Sequence, residues 1–169
     1  MNPVLEAWNA ADTSEANQAM LACCGAQRWA GQMVALRPIT TIATLSEAAD
    51  RVWAAMGESD WLEAFACHPR IGERKAPSAS EQSSSWSQQE QSGTTTATQS
   101  ALRQLAEDNA LYEQRFRFTY IVCATGKSAE EMLAILQRRL GNTRVAELRE
   151  AAEEQRQIMQ IRLGKWLVS

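Results

Sequence analysis

Along most of the chain, apolar residues recur three and four positions apart, the spacing that lines one face of an α-helix. Asn2-Pro3 predicts the first helix, because a capping side chain precedes a residue whose missing N–H would go unpaired there anyway; Leu5 and Trp8 then share a face. Ser14 is placed to cap a second helix running towards Cys24, with Ala16, Ala19, Met20 and Cys23 at helical spacing and Gly25 to end it. Residues 29–36 read as a third, stopped by Arg37-Pro38 because proline disfavours the helical region for its predecessor. Thr44-Leu45-Ser46-Glu47 has the form of a capping box ahead of Leu45, Ala48, Ala49, Val52, Trp53 and Met56, with Gly57 closing that helix. Ser59 opens a shorter one over 60–67, whose stripe of Trp61, Leu62, Phe65 and Ala66 delivers the chain to His68-Pro69.

The pattern then breaks. Residues 70–98 are rich in Ser, Gln, Thr, Gly and Pro and predict a long polar loop carrying short helical pieces. Helical spacing returns over 101–116, where Leu102, Leu105, Asn109 and Tyr112 lie along one side. The apolar run 118–124 is open between buried strand and buried helix. Ser128-Ala129-Glu130-Glu131 caps a helix through Leu140, ended by Gly141, and Thr143 begins a last long one. A single strand candidate has nothing to pair with and cannot satisfy its own backbone. The expected architecture is therefore all-α, an irregular bundle of about eight helices in one domain over 1–169, with the polar loop carrying part of the active site.

Composition narrows the function more than the fold. An apolar fraction of 45% and six tryptophans supply a core for a chain of 169 residues, the size of one domain. A formal charge of −3 gives no basic excess for gathering phosphates, so nucleic acid is not an expected partner. No run of about 18 apolar residues offers a membrane span. Met1-Asn2-Pro3-Val4-Leu5-Glu6 lacks the basic start and apolar stretch of a secretory signal, and Trp166-Leu167-Val168-Ser169 is not a peroxisomal tripeptide, so a cytoplasmic location is expected. The four cysteines show neither metal-ligand spacing nor a disulfide framework; reduced, mostly buried thiols and no metal are expected.

His68 is the single histidine, and its side chain alone has an ordinary pKa, about 6.5, suited to proton transfer near neutrality. A lone histidine is more often structural, but Pro69 holds this one extended at a helix exit into a polar loop, where an imidazole can reach a ligand. Ser87 and Glu90 stand three residues apart, on one face of a helical turn; they read either as a site pair or as a capping box with Ser87 as N-cap, exposing amides that favour anions. Arg162, among Met159, Ile161 and Leu163, implies a carboxylate partner, either within the protein or on a planar anionic substrate.

Together these pieces resemble the 2-oxo-4-hydroxy-4-carboxy-5-ureidoimidazoline (OHCU) decarboxylases. The markers are Cys23-Cys24-Gly25 with Trp29, Arg37-Pro38, Trp61-Leu62-Glu63-Ala64-Phe65 leading into His68-Pro69-Arg70-Ile71-Gly72, Ser87 with Glu90-Gln91, Asn109 with Tyr112, Arg115-Phe116, Arg139-Leu140, Asn142 and Arg162-Leu163. The resemblance implies cofactor-independent decarboxylation yielding (S)-allantoin in urate and purine degradation, a homodimer, and a small ureide as substrate. It implies His68 as catalytic acid, Glu90 as its acidic partner and Arg162 as substrate anchor. Pro69, Ser87 and Gln91 would line the pocket, and Tyr120, Ile121, Val122, Cys123 and Ala124 would add backbone contacts. The chain departs from the family at Arg117 and Thr119, where the pattern has Gly and Pro. That departure leaves room for a different reading, a catalytically altered ureide-binding module of the same fold.

Overall fold

In the computed structural model, which describes residues 1–72 and 79–169, Asn2 caps α1 (Pro3–Ala10) as its position foretells, accepting from the Val4 and Leu5 amides at 2.9 and 3.1 Å. The next caps fall upstream of the expected ones. Asp12, not Ser14, caps α2 (Thr13–Cys23), accepting from the Glu15 amide at 2.8 Å; a carboxylate there also complements the positive end of the helix dipole. After α3 (Gln27–Ala35) and the cis Arg37–Pro38 peptide, α4 (Ile42–Ala54) starts at Thr41, whose hydroxyl accepts from the Thr44 amide at 3.0 Å. The supposed capping box at Thr44 therefore lies inside the helix. Gly57 opens a helix rather than closing one: its carbonyl accepts from Trp61 at the start of α5 (Glu58–Phe65), and Asp60 accepts from the Gly57 amide at 3.0 Å.

The chain divides into two compact units. The first, Met1–Ala64 with Arg156–Ser169, has a core of helical apolar stripes including Leu5, Met20, Trp29, Met33 and Leu45. Two of its tryptophans are anchored, Trp8 donating to the Ala16 carbonyl at 3.0 Å and Trp29 to that of Ala49 at 3.1 Å. Arg37 Nη1 donates to the carbonyls of Trp8 and Ala11, satisfying the end of α1.

The second unit, Phe65–Gln155, holds α6 (Glu81–Glu90), a 3₁₀ turn (Ser92–Thr96), α7 (Gln99–Phe116), α8 (Ala129–Arg139) and the first half of α9 (Arg144–Trp166). Where a long polar loop carrying short helical pieces was expected over 70–98, one of the pieces is a helix of ten residues, capped by Ser80 accepting from the Ser83 amide at 3.1 Å. The pattern left its extent open because its buried face is largely polar: Ser83, Ser84, Ser87 and Glu90, with Trp86, are all buried. Glu73 lies outside the described residues.

The run 118–124 is neither strand nor helix but irregular chain, buried except at the half-buried Thr119. Three of its backbone groups are met by side chains: Arg139 Nη1 donates to the Ile121 carbonyl at 2.6 Å, Lys127 Nζ to that of Cys123 at 2.6 Å, and the Cys123 amide donates to Glu154 at 3.2 Å. Arg139, wholly buried, is neutralised by the equally buried Glu147 through Nε at 2.7 Å. Glu147 also accepts from the Tyr112 hydroxyl at 2.5 Å and from Asn142 at 2.9 Å. Burial, above all, raises the Tyr112 pKa well beyond the ordinary range, so the hydroxyl keeps its proton and donates. Among the described residues there are nine α-helices and no strand.

Candidate active site

His68 follows α5 in a turn closed by its amide donating to the Phe65 carbonyl at 3.1 Å. The imidazole is half-buried, Pro69 buried and Arg70 exposed, so the side chain stands at a rim rather than in the core. Three ties hold the segment within the second unit. His68 Nε2 is 2.8 Å from Oε1 of Gln155 on α9. Arg70 makes a two-pronged ion pair with Glu113 on α7, at 2.7 and 2.9 Å. The Gly72 amide donates to Oε1 of Gln91, just past α6, at 2.9 Å. Arg70, to which no chemistry was assigned, thus braces the segment; with Ile71, Ala106, Asn109 and Glu113 it lines a hollow of about 330 Å³.

The same end of α6 carries Ser87 and Glu90, both buried. They sit in its last turn, with the Gln91 amide donating back to the Ser87 carbonyl at 3.1 Å. Ser87 is therefore not an N-cap, and the expected anion-binding amides of a helix start are not there; a C-terminal turn presents carbonyls instead. Just beyond, Gly93 approaches the Lys127 turn so closely that a Cβ would lie 2.2 Å from the Lys127 carbonyl oxygen. That approach brings the end of α6 to the stretch containing Cys123. Burial pushes the Cys123 thiol up, Lys127 opposes the rise, and the Glu154 and Glu90 carboxylates add to it.

Tyr120, Ile121, Val122, Cys123 and Ala124 are all buried. Tyr120 donates its hydroxyl to the Met132 carbonyl at 2.9 Å, which fixes the stretch against α8. Arg162 belongs to the first unit, where it is 2% exposed and donates to the Ala22 carbonyl at 3.2 Å. Its charge bears on Cys23, whose thiol burial raises to about 12 despite that cation. None of the four cysteines is in a disulfide; Cys23, Cys24 and Cys123 are buried and Cys67 is half-buried. Among the described residues no group of three or more His, Cys, Asp or Glu could hold a metal, and no helix is long and apolar enough to cross a membrane.

The family model for OHCU decarboxylase matches residues 9–164. The chain belongs to the OHCU decarboxylase family. It is 40% identical over 144 residues to the uric acid degradation bifunctional protein TTL of Arabidopsis thaliana, covering 85% of this chain and 44% of that protein. It is 34% identical over 97 residues to the 2-oxo-4-hydroxy-4-carboxy-5-ureidoimidazoline decarboxylase of Amia calva, covering 57% of this chain and 55% of the relative. The chain thus spans about half the length of these curated relatives. Among solved structures it is similar to an OHCU decarboxylase crystallised in the presence of (S)-allantoin, with a TM-score of 0.76 and 35% identity over 88% of this chain and 96% of the other. An (S)-allantoin synthase structure shares the fold, with a TM-score of 0.70 and 18% identity over 96% of this chain and 53% of the other.

Arg117 stands where the family pattern has Gly. Arg117 caps α7 in the left-handed conformation, φ 67°, with its amide donating to the Glu113 carbonyl at 2.9 Å. This is the conformation that a glycine at this family position adopts most easily, and the Arg117 side chain is exposed. The residue that sequence reasoning missed is Gln155. A signal for it was present: it falls in the stripe Ala151, Ala152, Ile158, Met159, where an uncharged amide is costly to bury unpaired, though less so than the charged guanidinium of Arg162.

Proposed function

We propose that this protein decarboxylates 2-oxo-4-hydroxy-4-carboxy-5-ureidoimidazoline to (S)-allantoin without a cofactor, with His68 as acid/base, Glu90 as its acidic partner and Arg162 as substrate anchor. The observation that supports this best is the bracing of a half-buried His68 by Gln155, with Arg70 and Gly72 of the same segment tied to Glu113 and Gln91. A ring fixed through one nitrogen has its other set in direction, which is what delivery of a proton to one face requires.

The substrate carries a carboxylate on a ring carbon beside a carbon–nitrogen double bond. As carbon dioxide leaves, the electron pair of the broken C–C bond enters that double bond, so the sink lies in the substrate itself. The protein's task is then to hold the anion and to add a proton to one face of the ring, giving one enantiomer. Ser87, Gln91, Pro69 and the backbone of Tyr120, Ile121, Val122, Cys123 and Ala124 are proposed to line the pocket. The buried polar face of α6 suits that role, since Ser84 Oγ is buried there without a protein partner; buried hydroxyls without partners are costly unless a ligand or water completes them.

The test follows rate and optical activity of allantoin from freshly generated substrate. His68→Ala should lower kcat/KM by ~10²–10⁴-fold, the usual worth of a general acid–base group, and Glu90→Ala should lower it less. Arg162→Gln should act chiefly on KM. Product from His68→Ala should drift towards the racemate of the spontaneous reaction. A His68→Ala protein with wild-type kcat/KM and enantiomeric excess overturns the assignment, and wild-type protein that binds allantoin without turnover marks a ureide-binding module instead.

A further inference from the structure

Gln155 lies on α9 with no exposed surface. Its Oε1 is 2.8 Å from His68 Nε2, whereas its amide nitrogen is buried without a hydrogen-bond partner in the protein. The two ends of one side chain thus stand in different situations. The oxygen is engaged with the single imidazole of the chain. The nitrogen, with two N–H donors, bears the desolvation cost of an unsatisfied buried group. A glutamine that only filled space in the stripe of Ala151, Ala152, Ile158 and Met159 would carry that cost for nothing, since an apolar side chain of the same volume avoids it.

We propose that Gln155 is a positioning residue that bridges His68 and the bound ureide, accepting a hydrogen bond from His68 Nε2–H and donating its amide N–H to an oxygen of the ligand. The inference rests on the function proposed above. With the Nε2 hydrogen directed at Gln155, uptake and return of the proton fall to Nδ1 in this proposal. The carboxylate and carbonyl oxygens of a ureide substrate are the acceptors that the amide lacks in the protein. Acting on both partners, Gln155 sets the angle between them without itself exchanging a proton.

Because the chain has one histidine, protein labelled with ¹⁵N-histidine reports on His68 alone. The wild type should show an Nε2-bound proton coupled to its ¹⁵N. Gln155→Met should lose that resonance, and Gln155→Glu, which keeps an oxygen acceptor, should retain it. Titration with (S)-allantoin should give binding about three- to tenfold weaker in both variants, the effect of losing one neutral hydrogen bond. In turnover, Gln155→Met should lower kcat as well as raise KM, whereas Gln155→Glu should recover kcat in part with KM still raised. Absence of the Nε2–H signal from the wild type, its persistence in Gln155→Met, or unchanged allantoin affinity in both variants overturns the bridge. Should Gln155→Met fail to fold, the signal and affinity of Gln155→Glu decide. Wild-type protein that binds allantoin but does not turn over removes the decarboxylase reading while leaving the bridge to be judged by resonance and affinity; wild-type protein that binds no allantoin overturns both.

Discussion

In the unit formed by Met1–Ala64 and Arg156–Ser169, the interior is built from apolar side chains on helices, with Arg162 the charged exception. In the unit Phe65–Gln155, three residues with no exposed surface are Arg139, Glu147 and Gln155, and the run 118–124, buried except at the half-buried Thr119, is neither helix nor strand. The first interior is held by contact area, which declines by degrees as atoms are removed. The second is held by donors and acceptors that must match, and a half-satisfied network is worse than an apolar core. The unit that carries His68 and Glu90 is thus the one whose burial depends on individual atoms.

The largest effect should come from cutting that network at its centre. Glu147→Ala removes the acceptor of Arg139, Tyr112 and Asn142 together and leaves a buried guanidinium uncompensated, which costs about 3–5 kcal/mol. Urea denaturation followed by circular dichroism would measure it. Replacing both partners with apolar residues, Glu147→Leu with Arg139→Met, should cost less than the single change, because no unpaired charge remains. A loss below ~1 kcal/mol for Glu147→Ala would mean that the polar network does not support this unit.

The matching experiment in the apolar unit is Leu45→Ala, at a position 1% exposed, expected to cost roughly 2–5 kcal/mol. The contrast sharpens with shape-conserving changes. Leu45→Met should cost under ~1.5 kcal/mol, whereas Glu147→Gln, equally conservative in volume, should remain strongly destabilising because Arg139 loses its counter-charge. Equal costs for these two changes in the same urea titration would erase the distinction between the units.

The same difference explains what could be read from the sequence. The helices of the apolar unit announce themselves through Leu45, Ala48, Ala49 and Val52 or through Asn2-Pro3, because period and caps are local signals. Their starts shifted where two cap candidates competed, as Thr41 with Thr44. Of α6 only short helical pieces were legible, because the pattern that marks a helix is apolar and its buried face is largely serine and glutamate. The run 118–124 was ambiguous between two regular structures and is neither, since its backbone partners, Arg139, Lys127 and Glu154, lie 4 to 31 residues away in sequence and no window of neighbours contains them all. His68, Ser87 and Glu90 stood out as candidates by their chemistry and by family resemblance; Gln155 did not, because a single glutamine in an apolar stripe resembles a boundary position until its partner is known.

The smallest expected effect lies where the polar unit bears a local strain. Arg117 holds φ 67° at the end of α7, and a left-handed conformation costs a residue with a Cβ about 1–2 kcal/mol. Arg117→Gly relieves that cost but frees the unfolded chain, which opposes it by about 0.5–1 kcal/mol. The side chain is exposed, so little packing is lost. The net expectation is a stabilisation of about 0.5–1 kcal/mol, seen as a Tm a few degrees higher, with unchanged kcat/KM because the backbone conformation is already the one glycine would take. A lower Tm would show that the Arg117 side chain contributes more than its exposure indicates. An altered kcat/KM at unchanged stability would show that the arginine, and not only the backbone it sits on, acts on the neighbouring stretch that includes Tyr120.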